Sequence, residues 1–293
     1  MARLIVLSCG VPTPTPGRWG TAFGLQVGQE TLLVDCGPAA TLKLYQAGLR
    51  ATDVSRVFFT HLHSDHMADF PCFLMTRFDM SIGGEAPLQV YGPPPTAEFT
   101  RRLMGPDEGV LWLDVVARTN HPMSIGAFHS RGGAGERPPP EMQAHDIEPG
   151  PVARGDGWSV SAAEVRHAQP YLTCLGFRFE TDDGVMVFSG DTRPCDEVIE
   201  LARDADLLIM EAVALAGRQW EGSLLAESDT AGCATVAAAA GVKRLLVNHQ
   251  PPWLDEPQAR SQAIKEICQI YDGPVLWGEE LLEVQIGPDG PGG

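Results

Sequence analysis

Short apolar runs of four to eight positions alternate with longer amphipathic stretches along the whole chain, which predicts strands interleaved with helices. In the first half, the pattern predicts strands over 3–9, 22–27, 31–35, 54–60 and 88–91 and helices over 39–47, 67–78 and 96–104. In the second half, it predicts strands over 158–165, 175–180, 185–189, 207–211, 244–248 and 281–286 and helices over 195–204, 230–240 and 261–271. Each half therefore consists of strands followed by helices.

The chain is expected to form one domain over residues 1–293. Its length and its 44% hydrophobic content are enough to bury one large core, and the sequence contains no repeat and no long linker. The stretch 129–157 is rich in Gly and Pro and mixed in charge, which is typical of a loop or a lid over a site.

The most informative motif follows the predicted strand 54–60. The motif His61-Leu62-His63-Ser64-Asp65-His66 places three imidazoles and a carboxylate on a strand-to-helix turn. Side chains alternate along a strand, so His61 and His63 point to the same side, and the turn brings Asp65 and His66 beside them. Imidazole and carboxylate groups are ligands that zinc, manganese and iron prefer, so the motif predicts a metal site.

Three further strand ends carry a residue of the same kind. His167 follows the predicted strand 158–165, Asp191 follows 185–189, and His249 follows 244–248. A carboxylate beside an apolar strand has no core partner that would justify its burial, so Asp191 is expected in a site. Convergent His and carboxylate groups at strand ends indicate that these residues join the first motif.

With these residues in this order, the chain resembles the metallo-β-lactamase superfamily, whose HxHxDH motif His61, His63, Asp65 and His66 match. Within it, the chain is similar to the ribonuclease Z-like branch, on the segments 7–12, 33–37 and 189–194. The resemblance covers nearly the whole chain and implies an α+β fold, the αββα four-layer sandwich. It also implies two metal ions, one on His61, His63 and His167, the other on Asp65, His66 and His249. Asp191 would bridge them.

The function expected from this ligand set is a dinuclear metal-dependent hydrolase. A water bridging two divalent ions becomes hydroxide near neutral pH, because its pKa falls to about 7 at zinc, and it then acts as the nucleophile. Asp65, a ligand with a free oxygen, is expected to orient this water and carry its proton, as the catalytic residue. Zinc is the first choice of metal, with manganese or iron as alternatives.

One departure from the branch bears on the substrate. Its tRNA-processing members carry a further His in a His-x-Thr element before the last ligand strand, where this chain has Ser228-Asp229-Thr230. A serine there fits a helix N-cap and is expected to be structural. The chain is therefore expected not to process tRNA, and to cleave a small-molecule ester, lactone, amide or phosphodiester. A tRNA 3′-end endonuclease and a redox-active iron protein on the same fold are the alternatives.

The net charge of the chain also argues against a tRNA substrate. The net charge is −17, and a polyanion such as tRNA is bound mainly through basic side chains. The expected partner is a small molecule without nucleic acid, and the resemblance implies a homodimer.

Tyr171 and Trp253 are the aromatic candidates for substrate contacts, because aromatic side chains on loops beside strand-end ligands commonly line pockets. Seven scattered cysteines without a Cys-x-x-Cys spacing, and no stretch of membrane-spanning length, lead to the expectation of a cytoplasmic protein without a membrane partner.

Overall fold

Two seven-stranded sheets form the centre of the computed structural model, which describes residues 1–218 and 225–287. The first sheet has the order β14-β1-β2-β3-β4-β5-β6 and the second has the order β13-β12-β11-β10-β9-β8-β7. The strands of the first sheet are β1 (Arg3–Ser8), β2 (Ala22–Val27), β3 (Glu30–Val34), β4 (Val54–Phe58), β5 (Leu88–Gly92), β6 (Met142–Asp146) and β14 (Glu283–Gln285). Those of the second are β7 (Gly150–Gly155), β8 (Trp158–Glu164), β9 (Leu175–Thr181), β10 (Gly184–Phe188), β11 (Leu207–Glu211), β12 (Leu245–Asn248) and β13 (Val275–Trp277).

Helices cover the outer face of each sheet. The helices on the first sheet's side are α1 (Ala40–Gln46), α2 (Ser64–Met67), α3 (Phe70–Met80), α4 (Thr96–Met104), α5 (Trp112–Asn120) and α6 (Pro122–Ser130). Those on the other side are α7 (Asp196–Leu201), α8 (Thr230–Ala240) and α9 (Pro257–Cys268). The αββα four-layer sandwich expected from the resemblance is confirmed. In the described ranges, no helix combines the length and the apolar character needed to cross a membrane.

Aromatic side chains fill the space between the sheets. Phe58 of β4 is fully buried and stacks on Tyr91 at 5.1 Å between ring centroids, and it meets Phe177 and Phe179 of β9 edge-on at 5.8 and 5.3 Å. Edge-on and offset-stacked rings combine large apolar area with favourable ring electrostatics. Because Phe58 ends the strand before the histidine motif, this packing also fixes where that motif begins.

The segment 129–157 joins the two sheets. It contains the end of α6, a proline run at 138–140 and the edge strands β6 and β7, one in each sheet. The sequence pattern did not predict β6, β7, α5, α6 or β13. A function of this segment as a lid, and the single domain over 1–293, stay predictions.

We predict that Phe58→Ala lowers the free energy of unfolding by about 3 to 5 kcal/mol, because it empties the space between the sheets. Denaturant unfolding followed by circular dichroism measures this. Leu113→Ala, at a side chain that is 82% exposed, is the matched control and should change stability by no more than about 0.5 kcal/mol. A loss below about 1 kcal/mol for Phe58→Ala would show that the sheets do not depend on this contact.

Candidate metal centre

The ends of four strands place the predicted residues at one edge of the sandwich. In the second sheet, β10, β11 and β12 are parallel, and β8 runs in the same direction because β9 is antiparallel to both β8 and β10. The carboxyl ends of β8, β10 and β12, which lead into His167, Asp191 and His249, therefore lie at the same edge. The end of β4 supplies the motif from the first sheet, and all seven predicted residues come together.

The first cluster consists of His61, His63 and His167. His63 Nδ1 lies 3.0 Å from His61 Nε2 and 3.1 Å from His167 Nε2. Their donor atoms all lie within 4.8 Å of one another. Three imidazole nitrogens that converge at such distances match the ligand spacing around a small divalent cation.

The second cluster consists of Asp65, His66, Asp191 and His249, all buried. Asp65 Oδ2 lies 3.6 Å from His66 Nε2 and 3.7 Å from His249 Nε2. Asp65 Oδ2 and His66 Nε2 are both buried without a hydrogen-bond partner. Because a buried polar atom without a partner is costly, these two atoms indicate a place for a cation.

A single oxygen, Oδ2 of Asp191, lies between the two clusters. It is 3.1 Å from His249 Nε2 and 3.2 Å from His66 Nε2. It is also 3.8 Å from His61 Nε2 and 3.9 Å from His167 Nε2. One carboxylate oxygen thus approaches two nitrogens of each cluster, which is the position that a bridging ligand needs.

In two of the histidines, the ring nitrogen that faces away from the clusters donates a hydrogen bond to a backbone carbonyl. The Nδ1–H of His249 donates to Gly10 O at 2.9 Å, and that of His167 donates to Ala226 O at 3.0 Å. A carbonyl oxygen only accepts, so Nδ1 carries a proton and Nε2 is the nitrogen that faces the cluster. These hydrogen bonds fix the orientation of the two rings and make Nε2 a more basic ligand atom.

Asp35, for which the sequence predicted no role, organises the first motif. Its Oδ2 lies 2.8 Å from His66 Nδ1 and accepts a hydrogen bond from the Thr60 hydroxyl at 2.8 Å, and that hydroxyl lies 3.1 Å from His61 Nδ1. Asp35 has a left-handed backbone with φ 57°, as does His249 with φ 56°. Strained residues of this kind persist where the surroundings hold them, and both lie at the site. Asp35 directly follows the apolar strand β3, in the segment 33–37, and this position could have identified it as a site residue from the sequence.

A glycine allows the turn that carries Asp65 to approach. A Cβ atom on Gly37 would lie 2.0 Å from the Asp65 carbonyl oxygen, so no side chain fits there. Gly37 therefore lets the segment after β3 pack directly against the Asp65 backbone.

The electrostatics of the site favour positive charge at its centre. Burial raises the free energy of ionised Asp191, but the attraction of His249 and His66 outweighs it, and the pKa of Asp191 lies well below its ordinary value. Burial lowers the pKa of His249, yet Asp191 outweighs it and raises the pKa to about 9. Farther from these carboxylates, burial and repulsion from His66 hold the pKa of His61 well below its ordinary value. The second cluster thus attracts a cation most strongly.

The surrounding carboxyl groups support the same conclusion. Four of them lie in or directly behind the clusters: Asp35, Asp65, Asp191 and Glu227. Within the described ranges, their ion pairs are all with histidine, and none is with Lys or Arg. Buried negative charge requires a partner, and divalent cations would supply it. The residues present therefore fit metal ions.

The predicted substrate contacts lie on loops beside this site. Tyr171 is 89% exposed on the loop after His167, and Trp253 is 44% exposed in the short 3₁₀ helix Pro252–Asp255 after His249. Three other histidines lie elsewhere: His121 caps α6, His129 bonds Gly135 O, and His145 bonds Gln89.

Ser228 has a structural role that differs from the predicted one. Asp229 is the N-cap of α8 and accepts a hydrogen bond from the Gly232 N–H at 2.7 Å. The Ser228 hydroxyl instead donates to Thr192 O at 2.7 Å. The N-cap prediction was wrong by one residue, because aspartate is as good a cap as serine and one position nearer the helix.

Comparison with known proteins agrees with this geometry. Residues 30–250 match the family model described as the beta-lactamase superfamily domain. Ribonuclease Z of Mycobacterium bovis (strain BCG / Pasteur 1173P2) is 30% identical over 98% of this chain and 99% of its own length. The metallo-beta-lactamase fold protein YhfI from Bacillus subtilis has a TM-score of 0.74 at 20% identity, covering 96% of this chain and 98% of its own. Human tRNase Z, short form, has a TM-score of 0.72 at 20% identity, covering 97% and 99%.

These relatives contradict one sequence-based expectation. A small-molecule substrate and no nucleic-acid partner were expected, but the curated relatives at 30% identity are named ribonuclease Z. The exclusion of tRNA processing likewise has no support among them. The charge argument was wrong because net charge describes the whole surface, whereas substrate is met only at the mouth of the site.

We predict that Asp191→Ala loses most of its bound metal, because the one oxygen shared by the two clusters is removed. Metal content per chain, measured by plasma mass spectrometry after dialysis, is expected to fall from about two ions to well below one. Asp196→Ala, at an exposed carboxylate at the start of α7, is the control and should keep the wild-type content. Two retained ions in Asp191→Ala would contradict the position assigned to this residue.

Proposed function

Because the chain belongs to the beta-lactamase superfamily and is a metal-dependent hydrolase, we propose that it is a two-metal phosphodiesterase of the ribonuclease Z type. Its substrate would be RNA, cleaved near the 3′ end of precursor tRNA. The observation that carries the proposal is the place of Asp191 Oδ2, within 4 Å of two imidazole nitrogens from each cluster. Phosphodiester cleavage by two metals requires such a shared ligand, since the ions must lie about 3.5 to 4 Å apart.

The ligand assignment follows the two clusters. His61, His63 and His167 would hold one ion through Nε2, Nδ1 and Nε2, and Asp65, His66 and His249 would hold the other. Asp191 would bridge them. The imidazole-rich donor set suits zinc first, with manganese or iron as alternatives. The identity of the metal and the homodimer both stay predictions.

When bound, the two ions supply a water of lowered pKa and neutralise charge on the phosphoryl oxygens. The chain's own residues do the positioning. Asp65 would bind its ion through Oδ2, which has no hydrogen-bond partner and lies between His66 and His249, and its second oxygen can accept the proton of the attacking water. The hydrogen bonds from His66 to Asp35 and from His249 to Gly10 O keep these rings aimed at the same point.

Two of the exposed side chains on the loops beside the site are aromatic. Tyr171 and Trp253 are exposed on the loops after His167 and His249, where an unpaired base of RNA can stack on an aromatic ring. Such stacking contributes about 1 to 3 kcal/mol per base and needs no positive charge. An acidic chain can therefore bind the single-stranded end of an RNA with a weaker dependence on salt than a basic nuclease shows.

Ser228, at the place of the extra histidine of tRNA-processing members, affects the leaving group. Its hydroxyl is committed to Thr192 O, so it does not replace an imidazole as proton donor. We expect the rate of cleavage to depend steeply on the leaving group, because the departing oxygen receives less help.

We predict that the zinc- or manganese-loaded protein cleaves a precursor tRNA at its 3′ trailer, and that His63→Ala and Asp65→Ala reduce this rate at least about 10³-fold, since each removes a ligand or the proton acceptor. Gel analysis of 3′-labelled transcript measures the cleavage. His121→Ala, which removes an exposed histidine away from the centre, should keep the wild-type rate.

Two outcomes would contradict different parts of this proposal. Cleavage of bis(p-nitrophenyl) phosphate without cleavage of any RNA would overturn the RNA substrate and leave a metal-dependent phosphodiesterase. Wild-type cleavage by folded His63→Ala would overturn the metal centre itself.

A further inference from the structure

Two glutamates beside the site, one buried and one half-buried, are not used by the proposed mechanism. Glu211 is the last residue of β11 and is 2% exposed, and one of its oxygens accepts a hydrogen bond from the Thr192 N–H. Glu227 precedes α8, and its side chain is 19% exposed. The Oε2 atom of each is buried without a hydrogen-bond partner. A buried carboxylate oxygen without a hydrogen-bond partner is costly, so these two groups call for an explanation.

Glu227 is directed at the ring of His167. Its Oε1 lies 3.5 Å from His167 Nδ1, and the carbonyl of the preceding residue, Ala226, accepts the hydrogen bond of that nitrogen at 3.0 Å. His167, Asp191 and Glu227 present donor atoms within 4.8 Å of one another. Residues 226 and 227 therefore provide both the hydrogen-bond acceptor and a negative charge on the side of the ring that faces away from His61 and His63.

The backbone around Glu227 is held in place on both sides. The Ser228 hydroxyl donates to Thr192 O, and the Val213 N–H donates to Ser228 O at 2.9 Å. Thr192 is the neighbour of Asp191 and also donates its own N–H to Glu211. The serine that stands at the place of the extra histidine thus fixes the segment that aims Glu227 at His167.

We propose that Glu227 is a positioning residue for the metal centre: its carboxylate orients His167 and strengthens it as a ligand. A carboxylate behind a ligating imidazole raises the electron density on the coordinating nitrogen, and the loss of such a partner typically lowers metal affinity about 10- to 100-fold. The inference rests on the metal assignment of the proposed function, but not on its RNA substrate.

The test compares metal-free wild type with Glu227→Gln and Glu227→Ala. Zinc affinity is measured by competition with a chromophoric chelator, and the absorption bands of the cobalt-loaded proteins report the coordination directly. Glu227→Gln keeps the shape and removes the charge, so we expect one of the two zinc ions to bind about 10- to 100-fold more weakly, with altered cobalt bands, while the other keeps its affinity.

A matched control separates this effect from a general loss of charge. Glu200→Gln removes an exposed carboxylate on α7 that pairs with Arg203, and it should bind both ions as the wild type does. Thermal unfolding of the metal-free variants shows whether each is folded.

Three results would overturn the inference. Wild-type affinity and cobalt bands in Glu227→Gln would do so directly. A loss of affinity in Glu227→Ala alone would show that Glu227 only fills space. A wild-type protein that binds no metal would overturn the inference and the proposed metal centre together, whereas two bound ions without RNA cleavage would overturn only the RNA substrate.

Discussion

Buried negative charge without basic side chains around it is the constraint on which the whole site depends. Four carboxyl groups, Asp35, Asp65, Asp191 and Glu227, lie in or behind the two histidine clusters, and within the described ranges their ion pairs are with imidazoles alone. When no metal is bound, protons on the imidazoles offset part of this charge, since Asp191 raises the pKa of His249 to about 9. Divalent cations would take the place of these protons, so we expect the binding of metal and the stability of this edge of the protein to be coupled.

The four-layer architecture holds these charged groups in fixed positions. Each ligand follows a strand whose other side chains are buried between or outside the sheets, as Phe58 before the histidine motif and Val247 before His249 show. Packing therefore fixes the strand ends, and short turns present polar groups from rigid positions. The strained backbones of Asp35 and His249 fit the same view, because the surrounding sheets hold them in conformations that an isolated turn would leave.

The metal-ligand candidates were predictable from sequence because they follow apolar strands, and four of them lie in one short motif. The supporting residues were harder to find. Asp35 looks like a strand-end residue of the usual kind, and Glu211 and Glu227 are separated by 15 positions that carry no metal-ligand spacing. Only the parallel pairing of β10, β11 and β12 brings Glu211 beside Asp191.

Strands β6 and β7 were missed because they are edge strands with exposed, mixed-polarity sequences, so their pattern lacks the apolar signal of a buried strand. The substrate was misjudged because whole-chain charge does not describe the mouth of a site.

The most direct test of this account is anomalous diffraction from crystals grown with zinc, with data collected on both sides of the zinc edge. The account predicts two anomalous peaks about 3.5 to 4 Å apart, one within bonding distance of His61, His63 and His167 and the other of Asp65, His66 and His249, with Asp191 between them. A single peak, or peaks away from Asp191, would contradict the claim that this carboxylate joins two metal ions.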